Sequence, residues 1–390
     1  MHKVFSGKNG KTIPYLDTVI FLVIISLFFG YLGARMGISN MFSTIMATAY
    51  QLLIDTVFYI MAIAVLTGAF GKLATEFGLV KLLNKIFSPL MKPLFNMPGV
   101  AFLGIITTYL SDNPAIISLS KDDDFLSYFK KHQVPCLCNL GTAFGMGLIV
   151  TTFMTSKGYF KEALIGNIGA IIGSIVSVRI MAYRTKKVLP EESEKTEKGM
   201  GNKRNKDIED NIIEHTEGSF FERFLTAFLE GGKLGVDIGL SIIPGVLVIC
   251  TVIMLLTFGP IDPSVGYQGK AYEGVQLLPK IGEWLSPIIK PLFGFKNPEA
   301  IAFPITALGA VGAALSLVPK FLESGVIGPN EIAVFTAMGM CWSGFLSTHV
   351  AMLDALGHRK LISKAITSHV IGGIAAGISA HLLILLLGLA

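Results

Sequence analysis

Apolar residues along this chain fall into long continuous runs, not into an alternating pattern. Runs at 17–35, 48–71, 134–156, 162–183, 234–258, 328–353 and 361–389 approach the ~20 residues that a helix needs to cross about 30 Å of hydrocarbon. Strands of a membrane barrel would be about 10 residues long and would alternate. Two more apolar stretches, 98–120 and 298–322, are interrupted. The first breaks at Ser111-Asp112-Asn113-Pro114, and the second carries Pro304, Gly309 and Gly312. Proline removes a backbone donor and glycine loosens a helix. Both stretches are therefore expected to be helical hairpins that enter the membrane and leave on the same side.

Composition agrees with a chain hidden in lipid. Of 390 residues, 52% are hydrophobic and 15% charged, against roughly 25% charged in soluble domains. Unpaired backbone groups in hydrocarbon cost several kcal/mol, so the spanning elements must be helices. The formal net charge is +5, but the basic residues lie at the ends of runs and in one linker. That distribution is what the positive-inside rule requires and gives no reason to expect nucleic acid as a partner. Lys3, Lys8 and Lys11 precede the first run, and Gly33-Ala34-Arg35-Met36 after it offers no small-x-small cleavage site. The first run is thus expected to be a retained helix of an inner (cell) membrane protein with a cytoplasmic N-terminus. Cys136, Cys138, Cys250 and Cys341 all fall in apolar segments and read as buried free thiols.

The strongest internal signal is a repeat. The segment Ser88-Pro89-Leu90-Met91-Lys92-Pro93-Leu94-Phe95 recurs as Ser286-Pro287-Ile288-Ile289-Lys290-Pro291-Leu292-Phe293. Each copy follows a spanning run with one aspartate, Asp55 or Asp237, and precedes an interrupted hairpin and two long runs. The expected organisation is an N-terminal helix (1–47), a first repeat (48–184), a charged cytoplasmic linker (185–224) and a second repeat (225–390). Counting crossings from a cytoplasmic N-terminus places Lys92 inside and Lys290 outside, provided neither hairpin crosses. The expected fold is thus all-α and polytopic, with two inverted repeats. Each would hold a spanning helix, an amphipathic interfacial helix, a re-entrant hairpin and two more spans. Inverted repeats with broken helices meeting at mid-bilayer recur in secondary transporters.

Candidate chemistry concentrates at the interruptions. The tip Ser111, Asp112 and Asn113 would expose freed backbone groups and short polar arms, and a carboxylate at membrane depth is costly and usually functional. The alternative is a tip that surfaces in water and merely caps a helix. The span after each hairpin is polar: Asn139, Gly141, Thr142 and Gly145 in one, Ser343, Gly344, Ser347, Thr348 and His349 in the other. Small hydroxyl residues also serve as helix-packing glue. Asp55 and Asp237, like Asp112, are candidates for binding a coupling cation or proton. His349 is a further proton carrier in principle. No phosphate-binding loop, His-Glu-x-x-His or Gly-x-Ser-x-Gly motif occurs, which argues against an ATP-driven pump or a hydrolase.

The Ser-Pro-x-x-Lys-Pro-Leu-Phe segments, with a hairpin and two spans behind each, resemble the Gate or nucleoside-recognition membrane domain. That family includes the concentrative nucleoside transporters, the permease part of ferrous-iron transporters and the spore maturation proteins A and B. The first module resembles spore maturation protein A around Asn113 and Asn139–Thr142. The second resembles spore maturation protein B around Ser343–Thr348. The comparison implies a substrate site at the hairpin tips and following spans, here Ser111, Asp112, Asn113, Asn139, Thr142, Ser343, Ser347, Thr348 and His349. Only Asp112 matches the acidic residues that hold ribose in those transporters, and the chain contains no GTPase domain. The expected function is secondary transport of a small polar solute by alternating access. Na+ or H+ would be the coupling ion, with no other cofactor or metal, a lipid bilayer around the chain and a homo-oligomer as the expected assembly. The alternative is a non-transporting component of envelope or spore maturation that acts through protein partners.

Overall fold

The computed structural model describes residues 15–189 and 218–389. Most of the expected charged linker and the N-terminal lysines lie outside the described residues. Helix α1 (Leu16–Met36) turns at Gly37 into α2 (Ile38–Gln51), which passes through a π-helical turn (Leu52–Val57) into α3 (Phe58–Glu76). Next come the amphipathic α4 (Leu79–Phe95), the first hairpin, α5 (Ala101–Leu110) and α6 (Pro114–Leu119), and the single turn α7 (Asp123–Leu126). An interrupted span, α8 (Cys136–Thr142) and α9 (Gly147–Ser156), is followed by the continuous α10 (Phe160–Lys186).

The second half repeats this order. Helix α11 (Phe220–Ser241) leads through a π turn (Gly245–Cys250) into α12 (Thr251–Thr257), then the amphipathic α13 (Leu277–Phe293). The second hairpin is a 3-10 turn (Pro298–Ile301), α14 (Ala302–Ala307) and α15 (Val311–Leu315), with α16 (Val318–Glu323) behind it. Another interrupted span, α17 (Pro329–Cys341) and α18 (Phe345–Ala355), precedes α19 (Ile362–Leu386). The described residues are all-helical, and six segments among them are long and apolar enough to cross a membrane: Leu16–Met36, Ile38–Glu76, Cys136–Ser156, Phe160–Lys186, Phe220–Thr257 and Arg359–Leu386.

Both hairpins are too short to cross. Helix α5 has 10 residues, so it rises about 15 Å, half of a ~30 Å hydrocarbon core. The legs of the second hairpin are no longer. The octapeptide repeat occupies the same register in both copies, forming the last eight residues of two 17-residue helices. Each of these helices ends on a left-handed residue, Asn96 (φ 56°) or Gly294 (φ 68°), which turns the chain into the hairpin.

Two antiparallel pairs organise the helices. Helix α3 packs on α11 with glycine against glycine, Gly68 on Gly231, and Gly235 lies against the Ala64–Val65 backbone. Position numbers fall on one helix as they rise on the other, so the two run in opposite directions. Arg223 Nε donates to the buried Glu76 carboxylate at 2.7 Å and closes this pair at one end. Helices α10 and α19 pack the same way, through Gly169, Gly173, Gly372 and Ala376. Small residues let membrane helices approach until backbones touch, which replaces the hydrophobic drive that lipid removes.

Three sequence expectations need correction. The runs at 48–71 and 234–258 are parts of helices of 39 and 38 residues. The polar residues Ser39, Asn40, Ser43, Thr44, Thr48 and Gln51 hide the start of the first from a hydropathy reading, although Thr44 and Thr48 are fully buried. The run at 328–353 is two helices of 13 and 11 residues, because the chain breaks at Trp342–Gly344. Asp55 and Asp237 are not equivalent. Asp55 sits inside its π turn, whereas Asp237 lies in α11, before the matching turn begins at Gly245.

Candidate solute-binding site

Three chain breaks meet at one place. The first is the hairpin tip Ser111–Asn113, the second the interruption Ala143–Met146, and the third the interruption Trp342–Gly344. A break frees carbonyls and N–H groups that have no helical partner, so something must satisfy them. Asn113 Nδ2 donates to Ser343 O at 2.5 Å, joining residues 230 positions apart. Gly145 lies against both: a Cβ added there would stand 2.3 Å from Asn113 Oδ1 and 2.9 Å from Ser343 Oγ. Residues Met146 (φ 54°) and Gly344 (φ 57°) both take the left-handed conformation that restarts the second half of each broken span.

The polar atoms left over define the chemistry. Asp112 Oδ1 and Asn113 Oδ1 are buried and have no hydrogen-bond partner among the described residues. Two acceptors in that condition cost free energy unless a ligand or water answers them. The amide nitrogen of Asn113 stands 3.2 Å from a Cβ added at Gly344, and the Ser347 and Thr348 hydroxyls lie within 4 Å of the same point. Ser347 is exposed and donates to Gly344 O at 2.9 Å. Ser111 and Thr142 each bond back to their own helix, to Thr107 O at 2.7 Å and Cys138 O at 2.6 Å.

Asn139 lies outside this cluster, in a second buried network. Its Nδ2 donates to Ser177 Oγ at 2.9 Å and to Ala365 O at 3.0 Å. Ser177 Oγ bonds His369 Nδ1 at 2.9 Å, and His369 Nε2 bonds the carbonyl of Cys341. A carbonyl only accepts, so Nε2 carries the proton and Nδ1 accepts from the Ser177 hydroxyl. His369 therefore satisfies a carbonyl freed where α17 ends. The buried His349 ring sits 4.8 Å from that of His369. His381 does related work at α13: its Nδ1 bonds Asn330 Oδ1 at 2.7 Å, and Asn330 Nδ2 donates to Phe293 O at 2.9 Å.

Asp55 and Asp237 are exposed on the helix surface and make no hydrogen bond or ion pair among the described residues. The second hairpin tip, Leu308–Ala310, adds no polar side chain and packs on the second π turn, where Cys250 Sγ donates to Ala313 O at 2.9 Å. Among the described residues no group of three or more His, Cys, Asp or Glu side chains is placed to hold a metal ion. Sequence reasoning missed Gly145 as a contact point. The only sequence signal for it is its place in the polar run Asn139–Gly145, where the side chains draw attention and a glycine does not.

No protein-family model matches the chain, and no curated protein matches it. Among solved structures, the fold is similar to that of a doubly substituted form of CNTnw, a concentrative nucleoside transporter, in an outward-facing state. The TM-score is 0.52 at 11% identity, covering 96% of this chain and 88% of that one. At that identity the likeness concerns the fold. The class is thus a multi-pass helical membrane protein whose fold is shared with a transporter.

Proposed function

We propose that this chain is a secondary transporter for a small polar solute, working by alternating access around its two re-entrant hairpins. The observation that carries the reading is the Asn113–Ser343 contact, flanked by two buried acceptors with no partner among the described residues. Hairpin tips that touch helix breaks in another span form the kind of midplane site from which a solute can be released by moving one element. Asp112, Asn113, Ser343, Ser347 and Thr348 form the solute-facing set. The solute would supply donors to the two free carboxylate and amide oxygens and acceptors to the hydroxyls. A nucleoside-like solute fits that mixture, and the fold likeness and the resemblance to the Gate family support the same class. A hard cation such as Na+, bound by Asp112, Asn113 Oδ1 and freed carbonyls, suits the same oxygens as a coupling ion.

Uptake into proteoliposomes tests this directly. Purified protein facing a panel of nucleosides, bases and other polar metabolites should concentrate at least one of them when a Na+ or H+ gradient is imposed. No gradient-driven flux of any panel member would overturn the reading and leave a non-transporting role through protein partners. Side-specific labelling supplies an independent check on the geometry. Single cysteines replacing Lys92 and Lys290 should react with impermeant reagents from opposite sides. The antiparallel contacts of α3 with α11 and of α10 with α19 support that expectation.

A further inference from the structure

A cavity lies apart from the hairpin tips. It is an apolar groove of about 440 Å3 between α4, α5 and α10, walled by Leu90, Leu94, Ile105, Tyr109 and Ile171. Asn167 also lines it, and the polar groups there are already engaged. Asn167 Nδ2 donates to Thr151 Oγ1 and to Ala163 O, both at 2.8 Å, and the Tyr109 hydroxyl bonds the same Thr151 oxygen at 3.2 Å. The groove therefore asks for no polar ligand. Leu90, Leu94 and Ile171 are exposed, so it opens on the surface that the bilayer covers.

A cation marks the rim. Arg179 is exposed and donates through Nε to Leu94 O at 2.6 Å and through Nη2 to Pro93 O. Its Nη1 donors have no hydrogen-bond partner among the described residues. On α10, Arg179 stands 12 positions from Asn167, about 18 Å along the axis at 1.5 Å per residue. That length is close to the ~15 Å thickness of one leaflet's hydrocarbon. Helix α4 is amphipathic and ends beside Arg179, as a helix lying in the interface would.

We infer that the groove holds one acyl chain of an anionic phospholipid, with its phosphate on the Arg179 guanidinium. The planar guanidinium suits a phosphate, and an apolar space of about 440 Å3 suits an acyl chain. Tyr109 lines the groove two residues before the hairpin tip at Ser111. A bound chain thus packs against α5, the leg that leads to the hairpin tip.

Native mass spectrometry of the full-length protein, delipidated in detergent and exposed to phosphatidylglycerol or phosphatidylcholine, tests this. One phosphatidylglycerol should be retained per chain in preference to phosphatidylcholine. Ile171→Trp, which fills the groove, should abolish that retention. Arg179→Gln should weaken phosphatidylglycerol binding about fivefold and leave phosphatidylcholine unchanged. Should Ile171→Trp fail to fold, Leu90→Trp serves as a second groove-filling variant. Equal retention of the two lipids, or retention unaltered by Ile171→Trp and Leu90→Trp, would overturn the inference. The readout is lipid and not solute, so failure here leaves the transport reading standing.

Discussion

Asn113→Ala is expected to abolish gradient-driven uptake while the protein still folds and enters the membrane. The substitution deletes the donor to Ser343 O and leaves that carbonyl in a buried position with nothing to bind. An orphaned buried acceptor costs about 1–3 kcal/mol, which corresponds to roughly a 5- to 150-fold change in the population that depends on it. The loss is local, because Asn113 joins the hairpin to one break and does not hold the α3–α11 or α10–α19 pairs together. Thermal stability should therefore fall modestly while uptake falls far more. Asn113→Asp sharpens the test. It keeps the shape but turns the donor into a second oxygen facing the Ser343 carbonyl, so it should be at least as damaging. Wild-type uptake rates in both variants would remove the site from this part of the molecule.

Gly235→Val should give the largest loss of stability. An added Cβ at this position stands 2.3 Å from Ala64 O and 2.4 Å from both the nitrogen and Cα of Val65. All three are backbone atoms of a packed helix, so no side chain can swing aside. Helix α3 must move away from α11 or the valine cannot be accommodated. Overpacking of this kind costs about 1–3 kcal/mol, and a rigid backbone contact belongs at or beyond the upper end. The loss should appear as a drop in melting temperature of the detergent-solubilised protein and in yield from the membrane. Gly235→Ala should show the same effect in weaker form. Gly30→Ala is the control: no atom lies within 4 Å of its added Cβ, and alanine is the better helix former. A Gly235→Val protein as stable as the parent would show that the α3–α11 contact is not tight in the folded protein.

Much of the architecture was legible in the chain. Hydrophobic run length is a local property, and it suffices to place α1, α10 and α19, where uninterrupted apolar residues leave a helix as the only conformation that satisfies its own backbone in lipid. The breaks at Ser111–Pro114 and near Gly309 are equally local, because proline and glycine act on their own turn of helix. The octapeptide repeat marked the C-terminal halves of α4 and α13, but not where either helix begins. Local pattern failed where polarity and burial part company. The threonines of α2 are buried against neighbouring helices, so hydropathy shortened that span. The π turns, and with them the different placements of Asp55 and Asp237, left no mark in the run of apolar residues.

The sequence by itself determined most of the long helices, the two hairpin breaks, the duplication and the short polar residues of the first tip and of the spans behind each hairpin. Only the tertiary structure decided which of those residues meet. Asn113 finds Ser343 across 230 positions, while Asn139 joins Ser177 and the backbone at Ala365 instead of the hairpin tip. The physical reason is that periodicity encodes which face of a helix avoids water, and in a membrane that constraint weakens, since lipid accepts apolar side chains on every face. The partners are then chosen by close backbone approach and by the need to satisfy the groups each break sets free, and both are properties of the assembled helices.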